Sequence, residues 1–174
     1  QHGGAWAQVD SRALVIIRET LSQFSPLADF AFAMQGLGSG AITLAGTPTQ
    51  QAQYLPAVAS GHKIAAFALS EPQAGSDVAG MQTTATAVDP GFELNGVKTW
   101  ISNGGMADFY VVFAKTDVQS GSRGISAFIV DAPYSGLQDD EHLQVMSPHP
   151  LATLRFKNCR LGGETLLGDL NGGF

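Results

Sequence analysis

The hydrophobic pattern of this chain changes period once, near residue 63, and that change restricts the fold more than any other feature. Before it, apolar residues recur at helical spacing. After it, short β-branched and aromatic runs are punctuated by Gly, Pro, Asn and Asp. A helical block followed by a strand block, without strand–helix alternation, points to α+β and away from a Rossmann unit.

In the helical block, Asp10 or Ser11 caps a helix to about Gln23, with Leu14, Ile17, Leu21 and Phe24 on one buried face. Ser25-Pro26 starts a second helix, roughly Leu27 to Leu44, apolar nearly all round and therefore expected to be buried among others. Gly46 ends it. Thr47-Pro48-Thr49-Gln50 is a capping box. It opens a short helix to about Tyr54, with a kink or restart at Pro56 and closure at Gly61.

In the strand block, Ile64–Ser70 and Thr83–Val88 read as strands, the second ending at an Asp89-Pro90-Gly91 turn. Phe92–Leu94 and Val97–Ser102 flank Asn95-Gly96, a hairpin signal. Asp108–Lys115 is apolar on both faces, as for a central strand, and Gly124–Val130 is another. Residues 131–143 read as irregular and acidic. Gln144–Met146 and Thr153–Asn158 read as further strands around Pro148-His149-Pro150. Many short strands with tight turns imply a small antiparallel β-barrel or sandwich after the N-terminal helices.

A net charge of −6 with nine scattered basic residues argues against a nucleic-acid surface. No apolar run is long enough for a membrane span. Cys159 is the only cysteine, which excludes an intrachain disulfide or a cysteine cluster and fits a reducing, cytoplasmic setting. His2, His62, His142 and His149 lack metal-ligand spacing, so no metal site is expected. Ser76 in Ala-Gly-Ser-Asp lacks the setting of a nucleophile elbow. Neither a Walker loop nor a dinucleotide glycine fingerprint is present. Both ends look cut from something larger.

Two strings carry the polar chemistry. In the first, Phe67–Asp77 (FALSEPQAGSD), Pro72 should stop a strand near Glu71. Gly75 permits positive φ, so backbone N–H groups there can cradle an anion or a polar ring. Glu71 and Asp77 read either as an acid/base pair or as turn carboxylates capping nearby N–H groups, the commoner outcome. In the second, Leu94–Gly105 (LNGVKTWISNGG), Trp100 either lines a site for a flat ring or is a core tryptophan beside a turn.

Together, Phe67–Asp77 and Leu94–Asn103 closely resemble the two signature stretches of acyl-CoA dehydrogenases. Gly46–Gln50, Tyr54–Pro56, Ala107–Ala114, Gly124–Val130 and Leu167–Phe174 match as well, so the likeness covers almost the whole chain. It implies the end of an N-terminal helical domain over 1–63, a middle β-domain over 64–168, and the start of a C-terminal helical domain at 169–174. It also implies non-covalent FAD. Phe67, Leu69 and Ser70 would line the flavin ring, Gly75 and Ser76 would lie on its phosphate side, and Trp100, Ile101 and Ser102 would pack on it and hydrogen-bond it. Ser70 and Ser102 stand where the family often has threonine. Ser76 and His149 would touch the acyl-CoA substrate, His149 standing where the family often has a serine near the CoA moiety.

The implied reaction is α,β-dehydrogenation of a thioester. A glutamate removes the α-proton while a hydride leaves the β-carbon for flavin N5. In the family that glutamate belongs to the C-terminal domain, so no catalytic residue is assigned here, and Glu71 matches a structural motif position. The isolated chain is expected to hold flavin poorly and to be inactive. The whole protein would pass electrons to an electron-transfer flavoprotein and form a homo-oligomer. Alternatives are an acyl-CoA oxidase or flavin monooxygenase relative, and a non-catalytic truncated interaction module.

Overall fold

The computed structural model describes residues 9–174. Three helices come first: α1 (Ser11–Phe24), α2 (Pro26–Ala45) and α3 (Pro48–Ala59). Each starts at its sequence cap. Asp10 accepts from the Arg12 and Ala13 amides, Ser25 from Ala28, and Thr47 and Gln50 close the reciprocal box. Eight strands follow: β1 (Ala65–Ala68), β2 (Thr84–Ala87), β3 (Phe92–Ser102), β4 (Phe109–Lys115), β5 (Ile125–Asp131), β6 (Leu137–Leu143), β7 (Leu151–Leu161) and β8 (Leu166–Leu167).

The α+β architecture holds. The sheet is mixed rather than antiparallel throughout, and it is not closed. Its order is β6-β7-β3-β2-β4-β5-β8, with β1 beside β4. β1 and β2 both run parallel to β4, the latter through the single position Thr84↔Lys115. Either side of that narrow link, the sheet folds over itself. Tyr110, Val112, Ala114, Phe128 and Val130 on one face of β4 and β5 pack with Leu94, Ile101, Leu154 and Phe156 of β3 and β7. The alternate residues Phe109, Val111, Phe113, Ile125, Ala127 and Ile129 face the helices, meeting Ile42 and Tyr54. The strand apolar on both faces is thus the central one, as its sequence requires.

Side chains with distant partners dock the helices. Gln35 of α2 accepts from Ala65 N and donates to Lys63 O. Gln50, besides closing its box, donates to Glu164 O and Leu166 O. Gly38 allows α2 to touch β1, because a Cβ there would lie 2.7 Å from Ala65 Cβ.

Several local expectations are corrected. Asn95-Gly96 is no hairpin turn: β3 runs through it, bulged between Leu94 and Gly96 against β7. A Cβ on Gly96 would lie 2.6 Å from Thr83 Cα, so glycine serves a close strand approach, and Asn95 Oδ1 accepts from Asn158 N across the bulge. Within the stretch read as irregular, Leu137–Leu143 is a strand, while Gln144–Met146 is not. β6 is an edge strand paired only with β7, which is why it carries charges and escapes an apolar-alternation test. α3 continues through Pro56 to Ala59. No residue of α1 is buried, and Leu14 and Phe24 are exposed. α2 buries Gly38, Ser39 and Ile42 on one face but leaves Leu27, Leu37 and Leu44 exposed. His2 lies outside the described residues. Among those described, no helix is long and apolar enough to cross a membrane, and no group of His, Cys, Asp or Glu is arranged for a metal.

Candidate functional site

The two polar strings meet. The Thr99 amide donates to Ser70 O at 2.9 Å, joining β3 to the segment that follows β1. Beneath that contact lies a buried ion pair. Lys98 Nζ is 2.8 Å from Glu71 Oε1 and also donates to Leu69 O at 2.9 Å. The Lys98 side chain is 0% exposed and that of Glu71 2%. Glu71 also accepts from the amides of Gln82 at 2.6 Å and Thr83 at 3.0 Å.

Burial pushes the Glu71 carboxyl up, but the Gln82 amide, the Lys98 ammonium and Thr83 outweigh it and hold it below its ordinary value. Burial pulls Lys98 below its usual value, and Glu71 offsets part of that. Glu71 is therefore the capping carboxylate of a turn. Its oxygens are engaged, and it is closed to solvent. Asp77 makes no such cap: it is exposed and precedes one 3₁₀ turn, Val78–Gly80, which it bonds only through its backbone carbonyl, accepting from Gly80 N at 3.1 Å. Lys98 went unassigned from sequence. The available signal was a lone charge in an otherwise apolar strand stretch, to be matched with the carboxylate of the other string.

Two residues on from Lys98, the chain turns Trp100 outward. A second irregularity against β7 falls between Lys98 and Ile101, and Trp100 takes φ +59. A bulky residue in the left-handed region stores about 1–3 kcal/mol of strain. The residue is 60% exposed. It is neither a core tryptophan nor a random surface one, because it lines a cavity of about 160 Å³ together with Phe67, Leu69, Ser70, Ile101 and Ser102. Met34 and Leu37 of α2 and Ala65 and Ala66 of β1 complete the wall. Sequence reasoning missed the two on α2; their only signal was the small residue Gly38, which lets α2 approach β1.

The cavity gathers six of the sequence-predicted cofactor residues. It does not gather Gly75 or Ser76, which sit exposed on the loop beyond. Gly75 does not use a positive φ, and a Cβ on it would meet nothing within 4 Å. His149 does not line the cavity but reaches it indirectly, its Nε2 lying 2.8 Å from the Ser102 hydroxyl. At about 160 Å³ the cavity is smaller than a whole-cofactor pocket of roughly 300 Å³ or more, so it suits the edge of a larger molecule. An open aromatic face beside two hydroxyls, with apolar walls behind, can stack and orient a flat ring with a polar rim.

Comparison with known proteins bears on the same residues. The model of the acyl-CoA dehydrogenase middle domain matches residues 66–159, and that of the N-terminal domain matches residues 1–62. The probable acyl-CoA dehydrogenase FadE25 of Mycobacterium tuberculosis is 37% identical over 182 aligned positions, spanning 100% of this chain and 45% of that protein. A solved glutaryl-coenzyme A dehydrogenase in complex with glutaryl-CoA superposes with TM-score 0.89 at 30% identity, covering 99% of this chain and 44% of the other. A solved FAD-dependent dehydrogenase gives TM-score 0.79 at 36% identity, covering 83% and 40%. The chain thus spans less than half the length of the relatives it matches.

Proposed function

The chain belongs to the acyl-CoA dehydrogenase family, and from that premise we propose that it supplies one wall of an FAD and acyl-CoA thioester site in an α,β-dehydrogenase. The observation that carries the reading is Trp100, held in a strained conformation that keeps its ring open at a cavity lined by Ser70 and Ser102. Strain of this kind persists where the surrounding structure imposes it and clusters at ligand sites.

The residues fit the cofactor. Trp100 offers a face for a flat ring. The Ser70 hydroxyl has no hydrogen-bond partner among the described residues, and Ser102 presents a second hydroxyl. Phe67, Leu69 and Ile101 form a dry wall behind them. Gly75 and Ser76, on the exposed loop, are proposed to meet the phosphate side of the cofactor and the thioester tail. When bound, FAD supplies the hydride acceptor for the substrate's β-carbon. The chain's own part is to orient the ring and exclude water from one side. Removing an α-proton requires a base facing the thioester, and Glu71 cannot serve, being buried and already paired.

Electron delivery to an electron-transfer flavoprotein belongs to the same proposal, as does a cytoplasmic setting. So does assembly with further copies, supported by the exposed Val15, Ile16, Phe24 and Leu44 on α1 and α2. The test is flavin bleaching by acyl-CoA thioesters. The full-length protein with FAD is expected to bleach, and the 174-residue chain alone is expected not to. Bleaching by the chain alone would show that a base is present within it. No bleaching by the full-length protein with any thioester would sink the dehydrogenase reading.

A further inference from the structure

Ser102 ends β3 at the cavity, and its hydroxyl lies 2.8 Å from His149 Nε2. The imidazole is held from two elements. Its ring centroid is 4.3 Å from that of Phe30 on α2, and its own amide donates to Ser147 O at 2.7 Å. Pro148 and Pro150 flank it and fix their own φ. The Asn103 amide donates to Pro150 O at 2.9 Å, tying the His149 segment to the residue after Ser102.

A free serine hydroxyl samples three staggered rotamers and can either donate or accept. A clamped imidazole removes most of that freedom. With its proton on Nε2, it donates to Ser102 Oγ and leaves the hydroxyl proton for an acceptor in the cavity. With Nε2 bare, it takes that proton and leaves only lone pairs facing the cavity. His149 is absent from the cavity wall, and its Nε2 is engaged by Ser102.

We propose that His149 is a positioning residue: it fixes the rotamer of Ser102 and sets whether that hydroxyl donates to, or accepts from, the flavin ring. The inference rests on the flavin reading above. It gives His149 an indirect role through Ser102, in place of contact with the thioester.

The experiment titrates FAD into the full-length protein and follows flavin fluorescence. The variants are His149→Phe, His149→Gln, Ser102→Ala and the double variant Ser102→Ala/His149→Phe. Phenylalanine keeps a ring against Phe30 and deletes the nitrogen, whereas glutamine restores a polar atom. His149→Phe should weaken FAD binding about fivefold, the equivalent of one neutral hydrogen bond. His149→Gln should recover most of that loss. In the Ser102→Ala background, His149→Phe should change nothing further. Should the phenylalanine variant not fold, His149→Asn, too short to reach Oγ, serves in the same cycle. Equal losses in both backgrounds would mean a merely structural histidine and overturn the proposal, as would unchanged affinity in His149→Phe. If the wild type binds no FAD, the flavin reading itself falls and this inference with it.

Discussion

Lys98→Met tests the buried pair. The substitution removes an ammonium 2.8 Å from Glu71 Oε1 and 2.9 Å from Leu69 O, in a side chain that is 0% exposed. Methionine fills similar volume, so the cavity term is small. What remains is a buried carboxylate without its cation and a carbonyl without its donor. Breaking a buried pair from one side costs about 3–5 kcal/mol. The Gln82 and Thr83 amides still serve Glu71, which favours the low end, about 3 kcal/mol. At about 2–4 °C per kcal/mol for a chain of 174 residues, the thermal midpoint should fall by about 6–12 °C.

The pH dependence carries a sign. In the native pair the folded carboxyl of Glu71 sits below its ordinary value, because its hydrogen bonds and Lys98 overcome burial. It therefore adds stability above the ordinary carboxylate range, and that stability is lost as pH falls through the lower folded value. Without Lys98, one of the causes that oppose burial is lost and the folded value moves up. The variant's deficit should then be largest at neutral pH and shrink in acid. Adding Glu71→Gln should recover at least about 1 kcal/mol. Urea unfolding at several pH values reads all of this. A deficit under about 1 kcal/mol at neutral pH, or one independent of pH, would refute the reasoning.

Trp100→Asn should relieve the left-handed strain at φ +59, because asparagine tolerates that region; the thermal midpoint should hold or rise while FAD affinity falls about tenfold. A large drop in the midpoint would instead mark the ring as structural. Gly96→Ala places a Cβ 2.6 Å from Thr83 Cα, a main-chain collision no rotamer relieves, and should lower stability to urea by about 2 kcal/mol. Burial pushes the Cys159 thiol up to about 11, so iodoacetamide should label it only once the protein unfolds; rapid labelling of the native protein would contradict its placement in the core.

What the sequence disclosed was what it encodes locally. The caps at Asp10, Ser25 and Thr47 bond amides two or three residues on, so their partners lie within the same string. The strand apolar on both faces could only be central. Asn95-Gly96 misled because a turn and a bulge ask for the same backbone freedom; Thr83 and Asn158 decide between them, and neither is adjacent. β6 was hidden because an edge strand with one neighbour keeps its charges. The site divides the same way. Its two strings were visible as strings, whereas the Lys98–Glu71 link spans 27 positions and the Ser102–His149 link 47.

The ion pair and the strained tryptophan are best understood together. As a source of net stability a buried pair is weak, since well-packed apolar residues of equal volume often do as well or better. An apolar pair could not, however, bond Leu69 O and the amides of Gln82 and Thr83 at once. Those bonds fix the segment after β1 at the level where Thr99 meets Ser70. Lys98 points inward and anchors this junction, and two residues later the irregularity in β3 sends Trp100 outward over it. The buried charge thus holds the cavity rim still, and the strain beside it keeps the aromatic face open. On this argument, loosening the anchor should blunt ligand binding as well as stability, because Leu69, Ser70 and Trp100 share one cavity wall.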